Sequence, residues 1–111
     1  MKAAEVRHRA LIFLREAVSK MRSNSFVHIH DIPEYPESTK VDLDIPRDLL
    51  DKECAFILMK DTLPDGAIRV AIQYSRPRFF GMSSDMVAEG FIISADGALR
   101  ELSDQDRWDL T

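Results

Sequence analysis

The chain has a single cysteine, Cys54, and only four glycines in 111 residues. One thiol permits no internal disulfide, so no cystine framework staples this fold, and a reducing cytoplasm is the compartment it fits. With glycine so scarce there is no glycine-rich phosphate loop, and no serine stands in a nucleophile elbow. Long hydrophobic runs are missing as well. The longest, Ala10 to Leu14 and Cys54 to Met59, fall far short of the roughly 20 residues that span a bilayer. The amino terminus, MKAAEVRHRALIFLREAVSK, intersperses charges among its apolar positions and does not read as a secretory signal. Cys54 itself opens the apolar run CAFILM and reads as a small buried hydrophobe, not a nucleophile.

What is present is the makeup of one globular domain over residues 1–111, 45% apolar and 31% charged. The net charge of -4 is unevenly spread. Residues 1–30 carry six basic and two acidic side chains, whereas residues 31–66 carry four basic and ten acidic. An acidic middle argues against nucleic acid as the partner, since nucleic-acid binders show a basic footprint. It suits a basic protein instead.

Val6, Ala10, Phe13, Leu14, Ala17, Val18 and Met21 share one helical face, so residues 2–22 read as a long amphipathic helix that Ser23-Asn24-Ser25 stops. Phe26 to Asp31 alternates loosely and reads as a short strand ended by Pro33. Lys40 to Ile45 alternates more cleanly and reads as a half-buried strand, with Pro46 opening a short helix through Lys52. Cys54–Lys60, Ile68–Ser75, Met86–Ser94 and Ala98–Leu102 read as successive strands of a meander, joined in part by turns at Pro64-Asp65-Gly66 and Asp96-Gly97. Ser103 with Asp106 makes a capping box for a last short helix, which Trp108 docks onto the body. The expected fold is α+β, with a long N-terminal helix on a four- to five-stranded, mainly antiparallel sheet and a short C-terminal helix.

Between the second and third meander strands lies an insert, Arg76 to Asp85, holding Arg76, Arg78, Phe79 and Phe80. Its expected role is a flap that folds over the sheet end and serves as a secondary contact site, with its arginines meeting carboxylates. Glu89, between Val87 and Phe91, reads as a buried partner for Arg76 or Arg69. His28 and His30 would share one side of a strand with Glu34 nearby, the one arrangement that resembles a metal site. It partly resembles the first motif of cupins, but the flanking glycines and a second histidine motif are absent, so no metal or other cofactor is assigned. The favoured contact surface is the acidic set Asp31, Glu34, Glu37, Asp42, Asp44, Asp48 and Asp51, whose concentrated negative potential would speed encounter with a basic partner.

The elements Arg76-Pro77-Arg78-Phe79, Ala88-Glu89-Gly90-Phe91 and Asp96-Gly97, in that order, resemble those of a family of short bacterial proteins of uncharacterised function. That resemblance implies a bacterial origin and a shared sheet, and it carries over no catalytic residue. In size, acidity and lack of catalytic motifs the chain is similar to the immunity proteins of toxin systems such as contact-dependent growth inhibition. The expected function is therefore a non-enzymatic immunity protein that blocks a cognate toxin, plausibly a basic nuclease. The alternative is a small RNA-binding module or metal-dependent enzyme using Arg76, Arg78, Phe79 and Phe80 or the two histidines.

Overall fold

The computed structural model describes residues 3–50, 54–78 and 83–109. Helix α1 (Ala3–Arg22) lies across a four-stranded sheet made of β1 (Ala55–Thr62), β2 (Ile68–Arg78), β3 (Ser83–Ile93) and β4 (Leu99–Glu101), in the order β1-β2-β3-β4. All three strand pairs are antiparallel, as a meander with short connections requires. Between α1 and β1 the chain makes helix α2 (Phe26–His30), a single 3₁₀ turn (Glu37–Lys40) and helix α3 (Arg47–Leu50), and α4 (Asp104–Asp109) follows β4. The α+β architecture is the one its sequence implies.

The helix periodicity and the strand alternation meet in one core. Val6, Ala10, Phe13, Leu14 and Val18 from α1 are buried against Phe56 and Leu58 of β1, Ile68, Val70, Ile72 and Tyr74 of β2, and Phe91 and Ile93 of β3. Removing a large aliphatic side chain of this kind from water stabilises by about 1.5–3 kcal/mol. Phe13 meets Phe56 edge-on at 5.0 Å, and Phe56 lies 5.4 Å from Tyr74, so aromatics tie helix to sheet. The opposite face carries a thin layer of small residues, Ala67, Ala71 and Ala88 with Ile92 and Leu102. There Arg69 holds Asp61 at 2.6 Å and Asp106 at 3.0 Å, anchoring α4 to the sheet. Ser103 and Asp106 cap α4 reciprocally, the Ser103 N–H donating to Asp106 and the Asp106 N–H to the Ser103 hydroxyl. The expected docking by Trp108 concerns a side chain outside the described residues.

Three expectations are corrected. Phe26–His30 is a helix, because the Ser25 hydroxyl accepts the His28 N–H and serves as an N-cap, so the residues that stop α1 also start α2. Lys40–Ile45 is not a strand: Lys40 closes the 3₁₀ turn, and Asp44 has φ 54° with its N–H bonded to the Asp42 carboxylate instead of a ladder partner. The alternation nonetheless fixed the faces, since Val41, Leu43 and Ile45 pack against the core while Asp42 and Asp44 are exposed. The short helix after Pro46 is described only to Leu50, and Asp51 to Glu53 lie outside the described residues.

The third correction concerns Arg76 to Asp85. Most of the insert continues the hairpin, with Arg76 opposite Asp85, Pro77 opposite Ser84 and Arg78 opposite Ser83. Among the described residues β1 pairs only as far as Ser75, so β2 has no second ladder partner at Pro77 and its missing N–H breaks no described ladder bond. Phe79 and Phe80 lie outside the described residues.

Candidate partner-binding face

The path from α2 to α3 runs along the outer edge of β1 and closes it. The Tyr35 N–H donates to the Lys60 carbonyl at 3.0 Å, and the buried Ser38 hydroxyl donates to the Leu58 carbonyl at 2.7 Å. Beneath this crossover sits Lys60, whose side chain is only 3% exposed because its place in the β1 alternation, with Phe56 and Leu58, points it into the core. Its ammonium donates to the His30 carbonyl at 2.7 Å and the Ile32 carbonyl at 2.5 Å, satisfying the end of α2, with Glu34 3.8 Å away. Burying a cation is tolerable only with such partners. In the sequence Lys60 reads only as the end of an apolar strand, and its parity with Phe56 and Leu58 is the signal for its burial.

Tied to the edge at Tyr35 and Ser38, the crossover presents its carboxylates outward. Asp31, Glu34, Glu37, Asp42, Asp44 and Asp48 are all exposed. Glu34 accepts from the Thr62 hydroxyl, and Asp48 holds Arg9 of α1 at 3.0 Å. Between α1 and residues 41–44 opens a cleft of about 250 Å³. Phe13, Ala17, Met21, Ile32, Leu58 and Ile72 make its apolar lining, and Glu16, Lys20, Asp42 and Asp44 contribute its charged positions. Acidic side chains and a recess for an apolar group therefore lie together.

The remaining candidates sit elsewhere. Arg76 is half-buried on β2 beyond the last β1 partner, and Arg78 ends that strand. Cys54 lies beside α3, its thiol donating to the Leu49 carbonyl at 3.3 Å. Burial pushes that thiol up from its ordinary range, against the opposing charge of Arg76, so the nucleophilic thiolate is disfavoured. Arg69 is committed to Asp61 and Asp106 on the small-residue face, whereas Glu89, opposite Ile72, faces α1. The proposed Arg69–Glu89 pair is thus excluded by strand parity, and among the described residues Glu89 makes no ion pair with Arg76 either.

His28 and His30 stand two residues apart on a helix, roughly 200° around its axis. The shared side that the strand reading gave them does not exist. Among the described residues no group of three or more His, Cys, Asp or Glu side chains could hold a metal ion. No described helix is long and apolar enough to cross a membrane. Compared with known protein families, curated proteins and solved structures, the chain has no significant match.

Proposed function

We propose that this chain is an immunity-type inhibitor, a non-enzymatic protein that binds and blocks one cognate bacterial toxin, with the crossover of residues 31–48 as the contact face. The observation that carries this reading is the apolar-lined cleft flanked by three carboxylates, Glu16, Asp42 and Asp44, and one ammonium, Lys20. A basic segment bearing one apolar side chain complements it, the apolar group supplying affinity and the surrounding charges supplying orientation and speed of encounter. Closure of the β1 edge supports the same reading: a segment tied to the strand by the Tyr35 N–H and the buried Ser38 hydroxyl is held in place and can present fixed carboxylates at low ordering cost. A nuclease toxin has the required basic surface, and the lone cysteine suits a cytoplasmic inhibitor.

The test is co-expression with the products of neighbouring genes. A tight one-to-one complex that abolishes the toxin's activity, and whose formation slows with salt, is expected. Weak or salt-insensitive binding to every encoded neighbour overturns the reading.

A further inference from the structure

The second edge of the sheet is built differently. β4 covers β3 only at Phe91, Ile92 and Ile93, so among the described residues the outer side of Ser83–Gly90 has no strand beside it. This edge carries neither lysine nor proline, the commonest guards of an exposed strand, and its only charged positions are the acidic 85 and 89. Met86 stands on it 39% exposed.

We propose that this edge pairs with the same edge of a second copy, antiparallel and about a two-fold axis, giving a continuous eight-stranded sheet across a homodimer. Strand parity and the extent of β4 limit how the two copies can meet. Residues directly opposite each other must lie on the same face, so the axis passes through a residue and not between two. The pairing must also stop before Phe91, where Glu101 already occupies the partner position. Two registers then keep seven opposed positions within Ser83–Gly90, one centred on Met86 and one centred on Val87.

Charge decides between them. Centring on Val87 sets position 85 opposite position 89 twice, a carboxylate against a carboxylate each time, which is unfavourable. Centring on Met86 sets Glu89 opposite Ser83 and position 85 opposite Val87, and it places Met86 against its own symmetry mate on the small-residue face, so that the exposed thioether is covered. Backbone pairing over seven residues is a small interface, so the dimer is a weak and concentration-dependent one. The inference does not depend on the inhibitor reading, because the β1 edge and the crossover that closes it play no part in it.

Light scattering across a concentration series on the full chain tests the assembly, and cysteine crosslinking tests the register. Wild type is expected to shift from monomer to dimer mass, and Met86→Lys to remain monomeric with an unchanged circular dichroism spectrum. In a Cys54→Ser background, Met86→Cys is expected to form a disulfide-linked dimer under mild oxidant. Directly opposed residues lie about 4.5–5.5 Å apart between Cα atoms, within disulfide reach. Val87→Cys in the same background is expected to stay unlinked, its symmetry mate being a diagonal neighbour at about 7–8 Å. A wild type monomeric throughout with no Met86→Cys linkage overturns the proposal, as does a dimer that Met86→Lys leaves intact or one that Val87→Cys links faster than Met86→Cys.

Discussion

The two edges of this sheet solve one problem in opposite ways. At β1 the crossover donates a backbone N–H and a buried hydroxyl to the strand's carbonyls, and a buried lysine secures the segment from below. At β3 a three-residue strand covers one end, and among the described residues the rest has no strand beside it. The difference teaches where each kind of recognition can reside. A closed edge can recognise only through side chains, and on this one they are largely carboxylates; an open edge can recognise through its backbone, with the charges at positions 85 and 89 selecting the register.

The sharpest way to break the contrast is at Gly90, the last bare position before β4 begins. A β-carbon there would lie 2.0 Å from the Val70 carbonyl oxygen and 2.7 Å from the Ala71 Cα, both backbone atoms that cannot swing aside. Gly90→Ala is expected to destabilise by about 3 kcal/mol or more in urea unfolding, at the upper end of overpacking costs, and to disturb β3 where the two halves of its edge join. A variant as stable as wild type would mean that β2 and β3 do not approach this closely.

Next in size is the support of the closed edge. Lys60→Met keeps most of the volume and removes the ammonium, leaving the His30 and Ile32 carbonyls without that donor. A loss of about 1–3 kcal/mol is expected, with faster amide exchange in residues 30–38 than across β3. Uniform loss across both edges would erase the distinction drawn here.

The smallest effect concerns acid. Asp106 is held below the ordinary carboxylate range, first by the Ser103 N–H, then by the Ser103 hydroxyl and, against burial, by Arg69. Because its folded pKa is depressed, its contribution to stability is present above the unfolded value of about 3.9 and is lost as pH falls through the folded value. Asp106→Asn is therefore expected to flatten the acid limb of the stability profile, with α4 loosened and the β1 edge unaffected. An unchanged acid limb would show that the α4 anchor on the β4 side of the sheet carries no titratable share.

Much of this was legible because periodicity reports burial directly. The face of α1, the faces of β2 and β3, the turn at Asp96-Gly97 where Gly97 takes φ +88°, and the α4 capping box all followed from residue spacing. The crossover was not legible in the same way. Val41, Leu43 and Ile45 alternate like a strand, but whether an extended run finds a ladder depends on neighbours distant in sequence, and here the Asp42 side chain took the Asp44 N–H first. Residues 26–30 were ambiguous for a related reason: five residues are too few to separate a period of 2 from one of 3.6, and Ser25 served equally as a stop and as a cap. The carboxylates of the candidate face could be read as a set from charge alone, yet the cleft beside Asp42 and Asp44 and the lysine beneath the crossover needed the fold.

The central claim, that the closed edge is the recognition face, is tested most directly by association kinetics with the partner captured in the co-expression test, comparing wild type with an Asp42→Lys/Asp44→Lys variant across ionic strength. Between about 0.01 and 1 M salt the Debye length shrinks from roughly 30 to roughly 3 Å. The account predicts that the wild-type rate falls at least about tenfold over that range while the variant is slow at low salt and nearly flat. Equal rates and equal salt slopes for the two proteins would contradict it.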